Sequence, residues 1–229
     1  MNLIKIFLDI FAPKYCFSCF KKGKYFCFEH LNVLNSFFCP VCNLRFPAVE
    51  IKKITCKNCR KKTYLDGIFS IFSLDENFEK LIYAYKYKYY YDLVNEFSEY
   101  LNNVLDENFK YLFKNFIFVP IPSYRTKINE RGFDHIKLIL ENSKFKYKEI
   151  LKKIKNTKPQ AKSNLKERKE NLIGAFEINE KFKDEIKNLK TVVIFDDIKT
   201  TGSTLNEAAK VLKNNGIKNV FALTLAIKL

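Results

Sequence analysis

Runs of apolar residues along the chain predict strands that alternate with helices. Short apolar runs bounded by polar or turn residues predict strands at 69–72, 116–121, 192–195 and 220–227. Apolar residues at helical spacing predict a long helix at 78–105, a helix beginning at 136–140, and a helix between the last two strands. This alternation is typical of an α/β fold with a mostly parallel sheet flanked by helices.

The most informative chemistry follows the strand at 192–195. That strand leads into Asp196 and Asp197, and then into a loop of hydroxyl residues and one glycine: Thr200, Thr201, Gly202, Ser203 and Thr204. The carboxyl ends of parallel strands form the edge of the sheet where ligands bind. There, carboxylates can accept hydrogen bonds from ribose hydroxyls, and amides at the start of a helix can bind a phosphate. We therefore predict a sugar-phosphate site.

The helix after this loop has recognisable end signals. Thr204 and Glu207 have the spacing of a capping box, and Gly216 is placed to end the helix. An ordinary turn with two surface acids is the alternative interpretation. Two adjacent carboxylates repel each other unless cations or hydroxyls use them, so the ligand site is the better interpretation.

All seven cysteines lie before residue 60, at the spacing of metal ligands. Six of them form C-x-x-C pairs, and Cys27 is followed three residues later by His30. These side chains are enough for two tetrahedral zinc sites. Sequential pairing gives one site of Cys16, Cys19, Cys27 and His30, and a second of Cys39, Cys42, Cys56 and Cys59. Crossed pairing, and occupation of one site only, stay open.

A disulfide framework is the alternative use of these cysteines. Residues 1–12 are apolar but interrupted by Lys5 and Asp9, so we expect no signal peptide. Thiols stay reduced in the cytoplasm, which favours structural zinc in a cytoplasmic protein. Residues 1–12 have the spacing of a short amphipathic helix that packs on its own protein, with peripheral membrane contact as the weaker alternative. No apolar run is long enough for a transmembrane segment.

The position of the cysteines predicts two domains. Residues 1–62 form an N-terminal zinc-ribbon module, and residues 63–229 form one α/β domain that includes a polar loop at 152–171. The chain carries 41 basic and 25 acidic residues, a formal net charge of +16. This excess indicates a polyanionic partner such as nucleic acid.

Tyrosines and lysines are interleaved over residues 83–91. That composition suits stacking on single-stranded bases together with neutralisation of phosphates. A helix end whose tyrosines bury half of each ring is the alternative. We favour the helix end over base stacking, because aromatic residues are abundant throughout the chain.

The stretch 192–204 resembles the 5-phosphoribosyl-1-pyrophosphate (PRPP) binding motif of type I phosphoribosyltransferases. The resemblance implies the sheet of that fold, with Asp196 and Asp197 holding the ribose hydroxyls and residues 200–204 surrounding the 5′-phosphate. Mg²⁺ would accompany PRPP if the site is active. Candidate cations for pyrophosphate or for DNA phosphates are Lys86, Arg125, Arg131 and Arg168.

Further segments extend this resemblance over nearly the whole chain. The cysteine pairs come first, and they are followed by Lys86-Tyr87-Lys88, by residues 119–122 and 131–135, and by a set that includes Gln160, Arg168 and Asn171. Their order resembles the ComF family of competence proteins. The resemblance implies a zinc ribbon fused to a phosphoribosyltransferase-like domain. It also implies a role in natural transformation, handling incoming single-stranded DNA on the cytoplasmic side, with helicase-like and DNA-protection proteins of DNA uptake as partners.

Two departures from the family pattern bear on the pyrophosphate contacts. The family usually has Asn-Gln where this chain has Asp134-His135, and it often has glycine shortly after Lys86, where this chain has Tyr89 and Tyr90. The alternative function is an active phosphoribosyltransferase that transfers phosphoribosyl from PRPP to a nitrogenous base. No stretch is identifiable as a hood that recognises a base, so catalytic residues are left unassigned and DNA handling is favoured.

Overall fold

The structure is a computed structural model that describes residues 11, 13–46, 54–113, 116–156 and 171–229, with the backbone alone for residues 105–113. The expected helix at 1–12 lies almost wholly outside the described residues. So does most of the polar loop expected at 152–171, including Arg168.

The described part of the chain contains eight strands and five α-helices. The strands are β1 (Val33–Phe38), β2 (Arg45–Phe46), β3 (Gly67–Ser73), β4 (Ile117–Pro120), β5 (Leu151–Lys153), β6 (Phe176–Ile178), β7 (Thr191–Lys199) and β8 (Asn219–Ile227). The helices are α1 (Glu76–Tyr87), α2 (Leu93–Phe113), α3 (Arg125–Arg131), α4 (His135–Glu141) and α5 (Ser203–Asn214).

Six strands form one sheet in the order β2-β1-β3-β8-β7-β4. The strands β3, β8, β7 and β4 are parallel, while β1 and β2 extend the sheet in antiparallel pairs. Alternate residues of β7 face opposite sides: Val193 and Phe195 pack against α1, α2 and α4, and Val192 and Ile194 pack against α5. Helices therefore cover both faces of a mostly parallel sheet, as expected for an α/β fold, and the predicted fold class is confirmed.

The long helix expected at 78–105 is two helices. Helix α1 ends at Tyr87 and α2 begins at Leu93. Between them Tyr89 has a φ of +60°, a left-handed conformation that favours glycine. Tyr85 and Leu93 lie on either side of the break and are buried in the same core, which is why the apolar pattern predicts one helix.

The Cys-rich segment is joined to the α/β sheet from two directions. Strand β1 pairs with β3, so the domain boundary expected near residue 62 falls between two paired strands. On the other side, the buried carboxylate of Glu96 in α2 accepts the backbone N–H groups of Tyr25 at 3.0 Å and Phe26 at 3.4 Å. A hydrogen bond that ends on a charged group stabilises more than a neutral one, so Glu96 fixes this segment on α2.

The antiparallel pair β5-β6 and helix α3 had no clear signal in the sequence. Strand β5 overlaps the start of the stretch expected to be a polar loop. Both strands are only three residues long, with Leu151, Phe176 and Ile178 buried. None of the described helices is long and apolar enough to span a membrane.

Candidate functional site

Asp196 and Asp197 lie near the carboxyl end of β7, which runs between β8 and β4. Asp197 is buried, and its Oδ1 accepts the backbone N–H of Ile198 at 2.7 Å. Asp196 is partly buried, and its Oδ1 accepts the backbone N–H of Asp197 at 2.9 Å. Both carboxylates are thus held by the backbone of the strand at the edge where parallel sheets bind ligands.

A cation and an imidazole converge on the second carboxylate. Lys86 of α1 forms an ion pair with Asp197 Oδ2, and His135 Nε2 of α4 lies 3.3 Å from the same oxygen. Arg131 Nη1 donates to His135 Nδ1 at 3.0 Å. Because arginine can only donate, Nδ1 accepts and Nε2 carries the proton that points to Asp197.

The pKa values of the two adjacent carboxyl groups are shifted in opposite directions. Burial acts to raise the pKa of Asp197, but Lys86 and His135 outweigh it and hold that pKa well below its ordinary value. Burial and the negative charge of Asp197 raise the pKa of Asp196 well above its ordinary value. Burial, together with the charge of Lys86, lowers the pKa of His135. The site therefore holds one ionised carboxylate, one carboxyl that resists ionisation, and a neutral imidazole.

The loop after β7 reaches helix α5 through Gly202, whose φ is +75°. Thr201 Oγ1 accepts the Ser203 N–H at 3.3 Å and lies 3.0 Å from Ser203 Oγ. The amides that follow Ser203 in the first turn of a helix have no partner within it. Hydroxyls and amides in this arrangement can bind an anion such as a phosphate.

The capping box expected from Thr204 and Glu207 is not formed. Helix α5 begins at Ser203, with Gly202 as its N-cap. The carboxylate of Glu207 instead accepts the backbone N–H of Gly174 at 2.9 Å. Sequence spacing alone did not show that a distant segment competes for this carboxylate. The expected end of the helix is close to the observed one: α5 ends at Asn214, and Gly216 follows with a φ of +101°.

The side chain of Asp134, which precedes His135, is occupied by backbone amides. Its Oδ1 accepts the N–H of Ile136 at 3.1 Å and that of Lys137 at 3.3 Å, so it caps α4. Its Oδ2 accepts the Ser123 N–H at 3.2 Å. These donors offset the negative charge that Asp134 brings to the pyrophosphate side of the expected site.

The candidate phosphate cations differ in where the structure puts them. Lys86 and Arg131 belong to the cluster around Asp197, whereas Arg125 is exposed at the start of α3 and makes no contact with that cluster among the described residues. Two nearby groups were not among the candidates. His135 contacts Asp197 directly, and Lys153 of β5 is partly buried. Burial lowers the pKa of Lys153, and the charge of Asp196 acts against this.

The eight candidate metal ligands fall into two groups that follow sequence order. One is Cys16, Cys19, Cys27 and His30, and the other is Cys39, Cys42, Cys56 and Cys59; within each group the ligand atoms lie within 4.8 Å of one another. The sulfurs of Cys19 and Cys27 are 3.8 Å apart, and those of Cys42 and Cys56 are 3.7 Å apart. A tetrahedron with Zn–S bonds of about 2.3 Å has edges of about 3.8 Å.

The chemistry of both groups fits zinc. In the first group, His30 Nε2 is buried without a hydrogen-bond partner among the described residues. In the second, burial acts to raise the pKa of Cys39, but backbone hydrogen bonds at Cys42 and Val41 outweigh it and lower that pKa to about 6. Hydrogen bonding to Cys56, then burial, raises the pKa of Cys59 to about 12. Clustered thiols cannot all ionise without a shared cation, and zinc supplies one.

Together these features define an α/β protein with a mostly parallel sheet, an acidic pair at the end of β7, and two Cys-rich groups able to hold zinc. No protein-family profile matches the chain. Three curated proteins are similar to it. The chain is 28% identical over 156 residues to competence protein ComFC of Streptococcus pneumoniae, across 68% of this chain and 66% of that protein.

Two further relatives agree with the first. The chain is 32% identical over 107 residues to competence protein F of Haemophilus influenzae, across 44% of this chain and 46% of that protein. It is 25% identical over 210 residues to competence protein ComFC of Bacillus subtilis, across 89% of this chain and 79% of that protein. The resemblance to the ComF family of competence proteins is therefore confirmed, although the first two matches span two thirds or less of the relatives' own length.

Because the pKa values of Asp196 and Asp197 are shifted in opposite directions, substituting each by asparagine should affect the free energy of unfolding differently at pH 7.5. Asp197→Asn leaves Lys86 without its buried partner and should lower the free energy of unfolding by about 3 kcal/mol. Asp196→Asn removes a carboxylate that is costly to ionise and should leave the free energy of unfolding unchanged or raised. Urea unfolding of the zinc-loaded chain measures both.

The pH dependence of each effect follows from its sign. The stabilisation by Asp197 is present above the ordinary carboxyl pKa of about 4 and is lost as pH falls towards its lowered pKa. The cost of Asp196 is absent below about pH 4, grows as pH rises from there towards its raised pKa, and is constant above that pKa. Asp134→Asn is the matched control, because asparagine also caps helices. Equal destabilisation by Asp196→Asn and Asp197→Asn at pH 7.5 would contradict this account.

The two ligand groups predict two equivalents of zinc per chain. Cys56→Ser removes a ligand that lies beside two other sulfurs, and it should leave one equivalent in the first group. Elemental analysis after dialysis measures the content. A wild-type content of one equivalent, or loss of all zinc from the variant, would show that the groups do not load independently.

Proposed function

We propose that this protein binds a phosphoribosyl group at the carboxyl end of β7 and handles single-stranded DNA beside that site. The observation that carries the first part is the sequence of groups along β7 and α5. Two backbone-held carboxyls come first, and Gly202 in the left-handed conformation then leads directly to a helix N-terminus with two hydroxyls beside it. Carboxylates suit ribose hydroxyls, and the helix N-terminus suits the 5′-phosphate.

Positive charge beside the acidic pair suits the rest of such a ligand. The Lys86 ammonium contacts Asp197 directly, and the Arg131 guanidinium is connected to Asp197 through His135. Arginine and lysine are the usual partners of phosphate oxygens. Pyrophosphate, with Mg²⁺ as its companion, or a DNA phosphate could take these donors. Residues 200–204 would then hold the 5′-phosphate at the other end of the ligand.

An exposed group of tyrosines adjoins these cations. We call Tyr83, Tyr87, Tyr89, Tyr90 and Tyr91 the tyrosine ridge; between 38% and 65% of each residue is exposed. Arg131 Nη2 donates to the Tyr87 hydroxyl at 3.2 Å, and its guanidinium lies 5.1 Å from the centre of that ring. The Tyr91 hydroxyl donates to the Arg131 carbonyl at 3.2 Å. Exposed rings beside cations suit stacked bases with phosphates between them.

The net charge of +16 and the names of the relatives support the same assignment. Those relatives are called competence proteins, so we assign this chain to natural transformation, on the cytoplasmic side of DNA uptake. Helicase-like and DNA-protection proteins of that process are the expected partners. The positive charge would speed encounter with DNA and make binding sensitive to salt.

The alternative function is phosphoribosyl transfer to a nitrogenous base. A nitrogen atom would attack the anomeric carbon of PRPP, the bond to pyrophosphate would break, and the carboxylates would stabilise positive charge on the ribose ring. The intact acidic pair favours this alternative. The engagement of Asp197 Oδ2 by Lys86 and His135 bears on both functions, since a ribose hydroxyl has to share or displace those partners in either case.

Calorimetric titration of PRPP with Mg²⁺ tests the phosphoribosyl site. Asp196→Asn should weaken binding at least about tenfold, a loss of about 1.4 kcal/mol, because it removes an acceptor without breaking an ion pair. Asp134→Asn is the matched control and should bind no more weakly than the wild type. Absence of binding to the wild type, or equal binding by Asp196→Asn, overturns the site. Release of pyrophosphate in a screen of bases would favour the transferase.

Fluorescence anisotropy with a single-stranded oligonucleotide tests the tyrosine ridge. Tyr89→Gly removes an exposed ring at a position whose φ already suits glycine, so it should weaken binding about tenfold, within the range of about 1–3 kcal/mol per stacked base. Phe20→Gly is the matched control. Phe20 is 76% exposed and has a φ of +59°, but it lies in the Cys-rich segment.

The salt dependence of the same binding separates phosphate contacts from stacking. For the wild type, affinity should fall steeply between about 50 and 200 mM salt, and Tyr89→Gly should keep the wild-type slope. A flat salt dependence, or equal weakening by Phe20→Gly, would contradict the proposed interface. Competition by PRPP then reports whether the oligonucleotide uses the phosphoribosyl site.

A further inference from the structure

The last residue of β7, Lys199, contacts the turn that carries two ligands of the second group. Lys199 is only 3% exposed, and its Nζ donates to Asn43 Oδ1. Asn43 directly follows Cys42, and its backbone N–H donates to the carbonyl of Cys39 at 3.1 Å. A buried ammonium group is thus held by an amide within the turn that carries two of the four sulfurs.

The aliphatic part of Lys199 lies close to Gly202, in the loop formed by residues 200–204. A Cβ atom placed at Gly202 would lie 3.3 Å from Lys199 Cε and 3.6 Å from the carbonyl oxygen of Pro40. Pro40 lies between Cys39 and Cys42. Loop 200–204 and the cysteine turn therefore lie on either side of little free space at Gly202, and a side chain there would crowd the stem of Lys199.

Charge explains why a lysine is buried here. Four thiolates around one divalent ion leave a net negative charge, and a positive group beside them stabilises it. Burial lowers the pKa of Lys199, and the Cys39 and Cys42 thiolates act against this. Groups that orient or compensate metal ligands from outside change metal affinity about 10–100-fold when they are removed.

We propose that Lys199 is a positioning residue that couples metal in the second group to the shape of loop 200–204. The role assigned to the loop rests on the proposed function, whereas the coupling itself does not. With metal bound, the ammonium group is held at Asn43 and the aliphatic stem supports Gly202. Without metal, the thiols lose their shared cation, the cysteine turn loosens, and the loop loses its support.

Three variants of the full zinc-loaded chain test this coupling. Lys199→Met keeps the stem and removes the charge, and Lys199→Arg restores a charge. Lys228→Met is the matched control, because Lys228 is exposed and donates its backbone N–H to the Lys199 carbonyl at 2.9 Å. Zinc release to a chromogenic chelator should be at least about tenfold faster for one equivalent in Lys199→Met. It should be unchanged in Lys228→Met and largely restored in Lys199→Arg.

Hydrogen exchange of the loop amides supplies a readout that needs no ligand. Removing zinc from the wild type, or introducing Lys199→Met, should speed exchange at residues 200–204 at least about tenfold, while exchange in β8 stays unchanged. PRPP affinity, measured in parallel, should fall in Lys199→Met.

The outcomes separate this coupling from the proposed function. Faster zinc release and faster loop exchange without any PRPP binding by the wild type would support the coupling and overturn the phosphoribosyl site. Normal PRPP binding, zinc release and loop exchange in Lys199→Met would overturn the coupling alone.

Discussion

One buried oxygen atom, Asp197 Oδ2, joins the parts of the molecule that form the candidate site. Lys86 reaches it from α1, His135 reaches it from α4, and the oxygen itself belongs to β7. An ionised carboxylate with few water contacts requires such partners, because burying a charge without them is costly. The ion pair with Lys86 and the hydrogen bond from His135 therefore fix two helices against the end of the strand. His135 also brings Arg131 to the same edge.

The Cys-rich segment supports this edge at two separate places. Near its first ligand group, Phe17 and Tyr25 each pack on the ring of Tyr90, at centroid distances of 5.3 Å. Near its second group, Asn43 and Pro40 lie against Lys199 and Gly202. Metal in the two groups would therefore stabilise the base of the tyrosine ridge and the base of loop 200–204. A segment too small to form a separate core can be held in this way by metal and by a neighbouring sheet.

The residues that sequence reasoning located best are those whose roles depend on neighbours along the chain. The strands at β3, β7 and β8, the acidic pair and the spacing of the cysteines all follow from local periodicity or local chemistry. The break between α1 and α2 does not, because Tyr85 and Leu93 keep helical spacing across it. The contacts of His135 with Asp197 and of Lys199 with Asn43 span 62 and 156 residues, and no local pattern marks such pairs.

The sequence by itself determined the α/β class, the order of the main strands along the chain, the position of an acidic pair before a hydroxyl-rich loop, and the eight candidate metal ligands. These features depend on the period of apolar residues and on fixed ligand spacing, which a linear chain carries directly. Only the tertiary structure decided which carboxylate is ionised, which cations meet it, and that the second cysteine turn lies under Gly202. Those properties depend on burial and on distances between segments that come together only when the sheet forms.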